Sequence, residues 1–290
     1  MRYLIIGSGK IGIDLYIKLK KLNLPGKTFI FNRNKNSVGG KYCRKKKFNY
    51  SPGGINHLLK FLKEDTNIIF DCTSADVSKK IYYKIKDKLN KNFYVNLTPA
   101  PIGKYFIPYF SDVKIPHLIN MITCGGQSSV PVIIEMKKAI KDIKYVEVIS
   151  SIASQSAGKA TRENINEYII NTQRAIGQLS GINKNKVIIN LNPSNPPVNM
   201  MNSIFFECEN FDKKKAKRAN LVLKKINKTI KKYIPGYNAK LFYQKNENIF
   251  RVTIRVVGSG DYLSTFAGNL DIITSSSAYI GKLLNEKYNY

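Results

Sequence analysis

The sequence predicts an α/β protein in two parts: a doubly wound parallel sheet over about residues 1–124, and an α+β part over 125–267. A last segment, 268–290, is read as helical and as returning to the first sheet. Three observations carry this. Short apolar runs alternate with helix-like stretches up to Cys124; the first run turns through closely spaced glycines into a helix; beyond Cys124 the apolar runs lengthen. A length of 290 residues agrees with two units rather than one core.

In chain order, RYLIIG reads as a buried strand, and Ile11, Leu15, Ile17 and Leu19 then recur at roughly helical spacing. TFIFN (28–32), NIIFDCTSA (67–75), NFYVNLTPA (92–100) and LINMITCGG (118–126) repeat the short-strand pattern, with ADVSKKIYYKIKDKL helix-like between them. SSVPVIIEMKKAIKDI predicts a helix capped by Ser128 or Ser129, with Pro131 in its first turn. YVEVISSIAS, KVIINLNPS, NSIFFECEN and IFRVTIRVVG read as longer strands, suited to antiparallel pairing. Helices are expected near ENINEYIINTQRAIGQLSG and FDKKKAKRANLVLKKINKTIKKYI.

Gly7-Ser8-Gly9-Lys10-Ile11-Gly12 is a G-x-G-x-x-G placed directly after a strand and opening a helix. Glycines there allow a tight turn and close backbone approach, so that the helix N-terminus receives a pyrophosphate; a Rossmann-type dinucleotide-binding domain is the expectation. The second strand would normally end in a carboxylate for the adenosine ribose, but the residues are Phe31-Asn32-Arg33-Asn34. Arg33 would tolerate a 2′-phosphate, which leaves NADP open beside NAD. Cys124 is placed at the C-terminal end of the last strand of that domain, where open α/β sheets present ligands. A thiol near a helix N-terminus in positive surroundings is expected to have a lowered pKa. Of the other cysteines, Cys72 and Cys208 are read as strand residues and Cys43 as part of a basic loop. His117 could approach the Cys124 region but is read as structural, and neither it nor His57 has metal-ligand companions at suitable spacing.

Lys plus Arg number 48 against 19 Asp plus Glu, a net charge of +29. The lysines are spread along the whole chain among Asn, Ile and Tyr, with no basic helix carrying interleaved aromatics, so a solvated surface is expected and not a nucleic-acid binder. No stretch approaches about 18 uninterrupted apolar residues, and the apolar run in MRYLIIGSGK is short for a signal core. The expectation is a cytoplasmic protein that does not engage a membrane.

Eight collinear motifs carry a resemblance: GSGKIGIDL from Gly7, FDCTSA from Phe70, LTPAPIG from Leu97, NMITCGGQ from Asn120, SAGKATREN from Ser156, LNPSNPP from Leu191, PGY from Pro235 and AGNLDI from Ala267. Together they resemble the acetaldehyde dehydrogenase (acylating) family of aromatic meta-cleavage pathways. The resemblance implies a glyceraldehyde-3-phosphate-dehydrogenase-like fold, with residues 1–124 and 268–290 as the NAD-binding domain and 125–267 as an α+β catalytic and dimerisation domain. It also implies oxidation of acetaldehyde, or a similar short aldehyde, with NAD and coenzyme A to the acyl-CoA. By position, Cys124 matches the acyl-thioester nucleophile. Ser8, Gly9, Lys10 and Ile11 match cofactor-contacting positions, as do Ser156, Ala157, Gly158, Lys159, Ala160, Thr161, Arg162, Glu163 and Asn164; Asn269 matches an asparagine near the nicotinamide. Backbone N–H groups after Cys124 are the expected oxyanion donors.

The family's implied partner is 4-hydroxy-2-oxovalerate aldolase, and its implied assembly a homodimer within a larger complex. This chain departs from the family's pattern in a trimmed segment around Tyr243 to Ile249, in Lys10 and Lys159, and in Met201-Asn202 where Arg-Asp is usual. The last change removes a carboxylate that would help deprotonate CoA. The alternative to the enzyme is a Rossmann-fold protein that has lost catalysis and acts in binding or as a scaffold.

Overall fold

The computed structural model describes residues 1–62, 66–89, 91–111, 114–244 and 247–288, the side chains of residues 159 and 160 excepted. The first half alternates as expected: β1 (Arg2–Ile6), α1 (Lys10–Lys21), β2 (Thr28–Phe31), α2 (Val38–Lys45), β3 (Tyr50–Ser51), α3 (Gly54–Phe61), β4 (Asn67–Asp71), α4 (Ala75–Ile85), β5 (Phe93–Asn96), β6 (Lys104–Tyr105) and β7 (Leu118–Asn120). Its strands pair in the order β3-β2-β1-β4-β5-β7-β6, every pair parallel. Helices on both faces leave the central strands no polar side; all five residues of β4 are buried. The order reverses between β1 and β4, which opens a crevice at the carboxyl ends of those strands.

The second half comprises α5 (Cys124–Ala139), β8 (Tyr145–Ala153), α6 (Lys159–Glu163), α7 (Ile165–Ser180), β9 (Asn185–Asn192), β10 (Met200–Glu207), α8 (Lys213–Ile230), β11 (Tyr237–Tyr243), β12 (Ile249–Val256) and α9 (Gly268–Tyr288). Its sheet runs β11-β12-β10-β8-β9, antiparallel except for the β8–β9 pair, which needs the α6–α7 crossover to run parallel. Alternation sends Met200, Asn202, Ile204 and Phe206 of β10 inward against helices, and Met201, Ser203, Phe205 and Glu207 to the other face. The helix α9 returns to pack on α1: Asn285 Nδ2 donates to Tyr3 Oη at 2.6 Å, and Gly281 lies against Leu19 and Phe70.

Several expectations need correction. The central helix begins at Cys124, four residues before Ser128, because Thr123 is its cap: Thr123 Oγ1 accepts from Gly126 N at 3.0 Å. Pro131 therefore lies inside the helix, and the preceding strand ends at Asn120 rather than running to the cysteine. The two glycines after Cys124 concealed this start, since glycine is a poor helix former. Cys43 is not in a loop but buried in α2, whose Ser37 cap accepts from Gly40 N; Gly39 and Gly40 masked that helix in the same way. Cys72 and Cys208 stand just beyond the strands to which they were assigned. The strand β11 and the short elements β3, β6 and α3 carried too little periodicity to be read.

Candidate active site

Strands β4, β5 and β7 each end in Asp or Asn, and that side chain folds the following turn. Asp71 Oδ1 accepts from Thr73 N at 3.0 Å and from its hydroxyl at 2.6 Å; Asn96 Oδ1 accepts from Thr98 N at 2.9 Å and its hydroxyl at 2.7 Å; Asn120 Oδ1 accepts from Ile122 N at 2.9 Å. These Asx turns bring three loops to one edge of the sheet, facing the first turns of α1, α5 and α9. The hollow they enclose has a volume of about 150 Å³, and Cys124 lies on its wall with Ile11, Thr161, Asn164, Tyr168 and Asn269.

Cys124 is presented by a strained turn. Ile122 has φ of 62°, a left-handed conformation that is costly for a β-branched residue, by about 1–3 kcal/mol. Surrounding bonds hold it there: Asn120 takes its N–H, Asn171 Nδ2 donates to its carbonyl at 3.3 Å, and Gln127 Nε2 donates to Met121 O at 2.7 Å. Burial pushes the Cys124 thiol up to about 11, the opposite of the lowering expected from a helix N-terminus; the bonds with Tyr168 and the N–H groups of Gly125 and Cys124 offset only part. The basic surface does not reach this wall, since no Asp, Glu, Lys, Arg or His lines the hollow among the described residues. Of the N–H groups expected as oxyanion donors, those of Gly126 and Gln127 are taken by Thr123, leaving Gly125 and Cys124 itself.

The remaining predicted positions divide into two groups. The glycine turn has the expected close approach: Gly7 has φ of 104°, and a Cβ on Gly12 would fall 2.0 Å from Gly7 O. Gly9 caps α1 without any side-chain bond, and a Cβ there would meet nothing within 4 Å, so the helix N-terminus stands open beside Ser8, Lys10 and Ile11. An anionic pyrophosphate fits such donors. Asn269 is 1% exposed and its Oδ1 has no hydrogen-bond partner, a buried acceptor suited to a carboxamide.

The second group is supporting. Ser156 Oγ donates to Ala153 O at 2.7 Å, and Arg162 donates to Ser154 O at 3.0 Å and Ala157 O at 3.2 Å, which shapes the loop through Gly158 to α6. Glu163 closes α6, while the side chains of Lys159 and Ala160 lie outside the described residues. At the end of β2, Asn32 Nδ2 donates to Ser8 Oγ at 2.7 Å and Ser37 Oγ at 2.9 Å, so it braces the glycine turn; Arg33 is exposed. His117 stacks on Phe93 at 4.5 Å, and His57 lies among Phe31, Phe61 and Ser51.

Sequence reading missed Thr73, Ser74, Thr98 and Tyr168 as pocket residues. The first three lie within quoted motifs, and Tyr168 is one helical turn beyond Asn164, a spacing that could have found it. Asn202 lies buried against α5 and donates to Gly125 O at 3.3 Å and to Ser128 Oγ, which places an amide and not a carboxylate behind the cysteine turn. Among the described residues no group of His, Cys, Asp and Glu could hold a metal ion, and no helix is long and apolar enough to cross a membrane.

Residues 124–264 match the family model for the dimerisation region of prokaryotic acetaldehyde dehydrogenase. An acetaldehyde dehydrogenase of Burkholderia pseudomallei (strain 668) is 38% identical over 282 residues, covering 95% of this chain and 92% of the relative. Those of Pectobacterium atrosepticum and Bacillus cereus are 35% and 34% identical, covering 97% and 96% of this chain and 94% and 91% of the relatives. Among solved structures, a probable aspartate-semialdehyde dehydrogenase from Pseudomonas aeruginosa aligns with a TM-score of 0.68 at 10% identity, over 100% of this chain and 99% of that one. Aspartate semialdehyde dehydrogenase II from Vibrio cholerae aligns with a TM-score of 0.66 at 10% identity, over 99% of both. At that identity the likeness is one of fold, and it is the glyceraldehyde-3-phosphate-dehydrogenase-like fold expected from the sequence.

Proposed function

The chain belongs to the acetaldehyde dehydrogenase family and is an oxidoreductase; from that premise we propose that it is the acylating enzyme, oxidising acetaldehyde or a similar short aldehyde to an acyl-CoA through a Cys124 thioester. The observation that carries this is the placement of Cys124 at the N-terminus of α5, on the wall of a hollow that it shares with Asn269, whose amide oxygen is unpartnered. The Cys124 thiolate adds to the aldehyde carbon, forming the C–S bond, while the N–H groups of Gly125 and Cys124 face the developing oxyanion. A bound nicotinamide dinucleotide supplies the hydride acceptor. The open N-terminus of α1 at Gly9 and Ser8 would hold its pyrophosphate, and Asn269 its carboxamide. The small, largely apolar hollow excludes water from the thioester and keeps it for CoA, whose thiol displaces Cys124. No carboxylate lines the hollow among the described residues, so the CoA thiol arrives as thiolate or loses its proton to water.

The rest of the reading follows the same premise. The two units are 1–124 with 268–290, of which 289 and 290 lie outside the described residues, and 125–267. The missing ribose carboxylate and exposed Arg33 admit NADP beside NAD, and turnover with each decides the preference. The family's dimerisation region supports a homodimer, and we assign its surface to the outer face of the second sheet. There Met201, Phe242 and Ile249 are 45%, 45% and 55% exposed, and a broad hollow of about 590 Å³ is lined by Phe205, Phe242 and Ile249. Partnership with an aldolase in aromatic catabolism is carried from the resemblance, and a cytoplasmic location from the absence of a long apolar stretch in the sequence; co-purification with an aldolase tests the former.

The test is purified protein with acetaldehyde, NAD and CoA, following NADH absorbance, with Cys124→Ala beside it. CoA-dependent NADH formation is expected from the wild type, reduced by about 10³-fold or more in the variant. Absence of CoA-dependent product in the wild type, or undiminished activity in the variant, overturns the mechanism.

A further inference from the structure

We infer that Tyr168 is a positioning residue for the Cys124 sulfur, joined to it by a hydrogen bond whose direction reverses when the thiolate forms; this rests on Cys124 being the nucleophile. The thiol donates to Tyr168 Oη at an Sγ–Oη separation of 3.9 Å, and the phenol donates onward to Ser150 Oγ at 3.2 Å. Ser150 stands on β8, fully buried, and its hydroxyl oxygen accepts the phenol's proton. A chain of three such groups runs equally well the other way. When the thiol loses its proton to water, Ser150 donates to Oη and the phenol donates to the thiolate, and only two hydroxyl rotors turn.

The surroundings are built for this contact. A Cβ on Gly125 would fall 2.0 Å from Tyr168 Oη and 2.6 Å from Ser150 Oγ, so the glycine next to the nucleophile keeps open the space in which the hydroxyls meet. Thr172 Oγ1 donates to Tyr168 O at 2.8 Å and pairs with Thr123 Oγ1 at 2.7 Å, which ties the tyrosine's helix to the cap beneath Cys124. Besides Tyr168, the groups that answer the charge of a thiolate among the described residues are the backbone N–H groups of Gly125 and Cys124. The polar side chains nearest it are Thr123, Tyr168, Thr161, Asn164 and Asn269 on the wall, with Ser150 of β8 behind Tyr168 and Asn202 of β10 behind Gly125; Thr123 also bonds to the Tyr168 hydroxyl, and none of these is a formal cation. Arg162 of α6 is engaged by Ser154 and Ala157. A phenol therefore stands where other thiol enzymes place an imidazole.

The experiment measures the rate of Cys124 alkylation by iodoacetamide from pH 7 to 11.5, read by mass spectrometry of the Cys124 peptide, in the wild type, Tyr168→Phe and Ser150→Ala. NADH formation is assayed in parallel. Tyr168→Phe is expected to lower the rate at pH 9 about tenfold and to move the profile upward by about one pH unit. Ser150→Ala should move it in the same direction by less, with KM for the dinucleotide unchanged in both variants. A profile superimposable on the wild type, in variants whose circular dichroism is unaltered, overturns the proposal, whatever happens to kcat. Should the wild type make no CoA-dependent NADH while Tyr168→Phe still shifts the profile, the enzyme reading falls and the hydrogen bond to the thiolate stands.

Discussion

Around Cys124 the balance is between burial, which favours the neutral thiol, and three donors that favour the thiolate. With the thiol held up to about 11 by burial, the thiolate fraction grows about tenfold with each pH unit through the neutral and mildly alkaline range. Alkylation of Cys124 in the free protein is thus expected to rise steadily from pH 7 to 10 without a plateau; a plateau near pH 7 would show that an unseen cation activates the sulfur. The same burial makes the resting thiol resistant to oxidation, since the thiolate is the reactive form. Cys43 and Cys208, likewise raised to about 11 by burial, lie away from the hollow and should remain unlabelled alongside it in the neutral range.

Between elements, the join of α1 to α9 is ionic as well as apolar. Lys18 Nζ reaches Asp261 Oδ2 and Asp271 Oδ1, both at 2.8 Å, and lies 3.7 Å from Asp14 Oδ2; Thr274 and the Tyr262 N–H complete the shell of Asp14. Burial lowers the Lys18 pKa, but the charges of Asp271 and Asp14 and the bonds from Asp261 and Asp271 raise it further, so the net movement is upward. Its contribution is therefore full below the ordinary lysine pKa and is lost as pH rises through the folded value. Asp261 is raised by burial and lowered more by Lys18 and Lys21; its contribution holds above the ordinary carboxylate pKa and is lost as pH falls through the folded one. Asp14 is raised, burial outweighing Lys18, so it opposes the network at neutral pH. Removing the cation leaves buried carboxylates uncompensated, and Lys18→Met is expected to cost about 3–5 kcal/mol in urea denaturation at pH 7. A cost below about 1 kcal/mol would mean that the join is apolar alone.

Across the whole molecule, two properties depend on surface and not on the hollow. The outer row Phe242, Arg251, Phe205, Glu147 and Lys186 crosses the second sheet in register, two apolar rings flanking a cation and followed by an anion and a cation. Such a row can meet its own copy with unlike charges opposed. Phe205→Glu should convert the dimer to monomer in sedimentation at micromolar concentration; an unchanged mass moves the interface elsewhere. The net charge of +29 should act on anions at a distance. Affinity for NAD is expected to fall between about 0.01 and 0.15 M salt, as the Debye length drops from about 30 to about 8 Å, while KM for the neutral aldehyde stays constant. A dinucleotide affinity indifferent to salt would show that the surface charge is idle.

The sequence by itself determined the alternation of strands and helices, the glycine turn at Gly7 and Gly12, and the place of Cys124 at the carboxyl edge of the parallel sheet. These are set by side-chain period and turn chemistry within a few residues, which the chain states directly. Only the tertiary structure decided that α5 begins at Cys124 under a Thr123 cap, that Cys43 is buried in α2, and that Asn269 keeps an unpartnered oxygen. It also reversed the expected thiol shift and brought Tyr168 and Ser150, 44 and 26 residues along the chain, to the sulfur. Desolvation and the meeting of distant side chains depend on how elements pack, and local pattern has no measure of either.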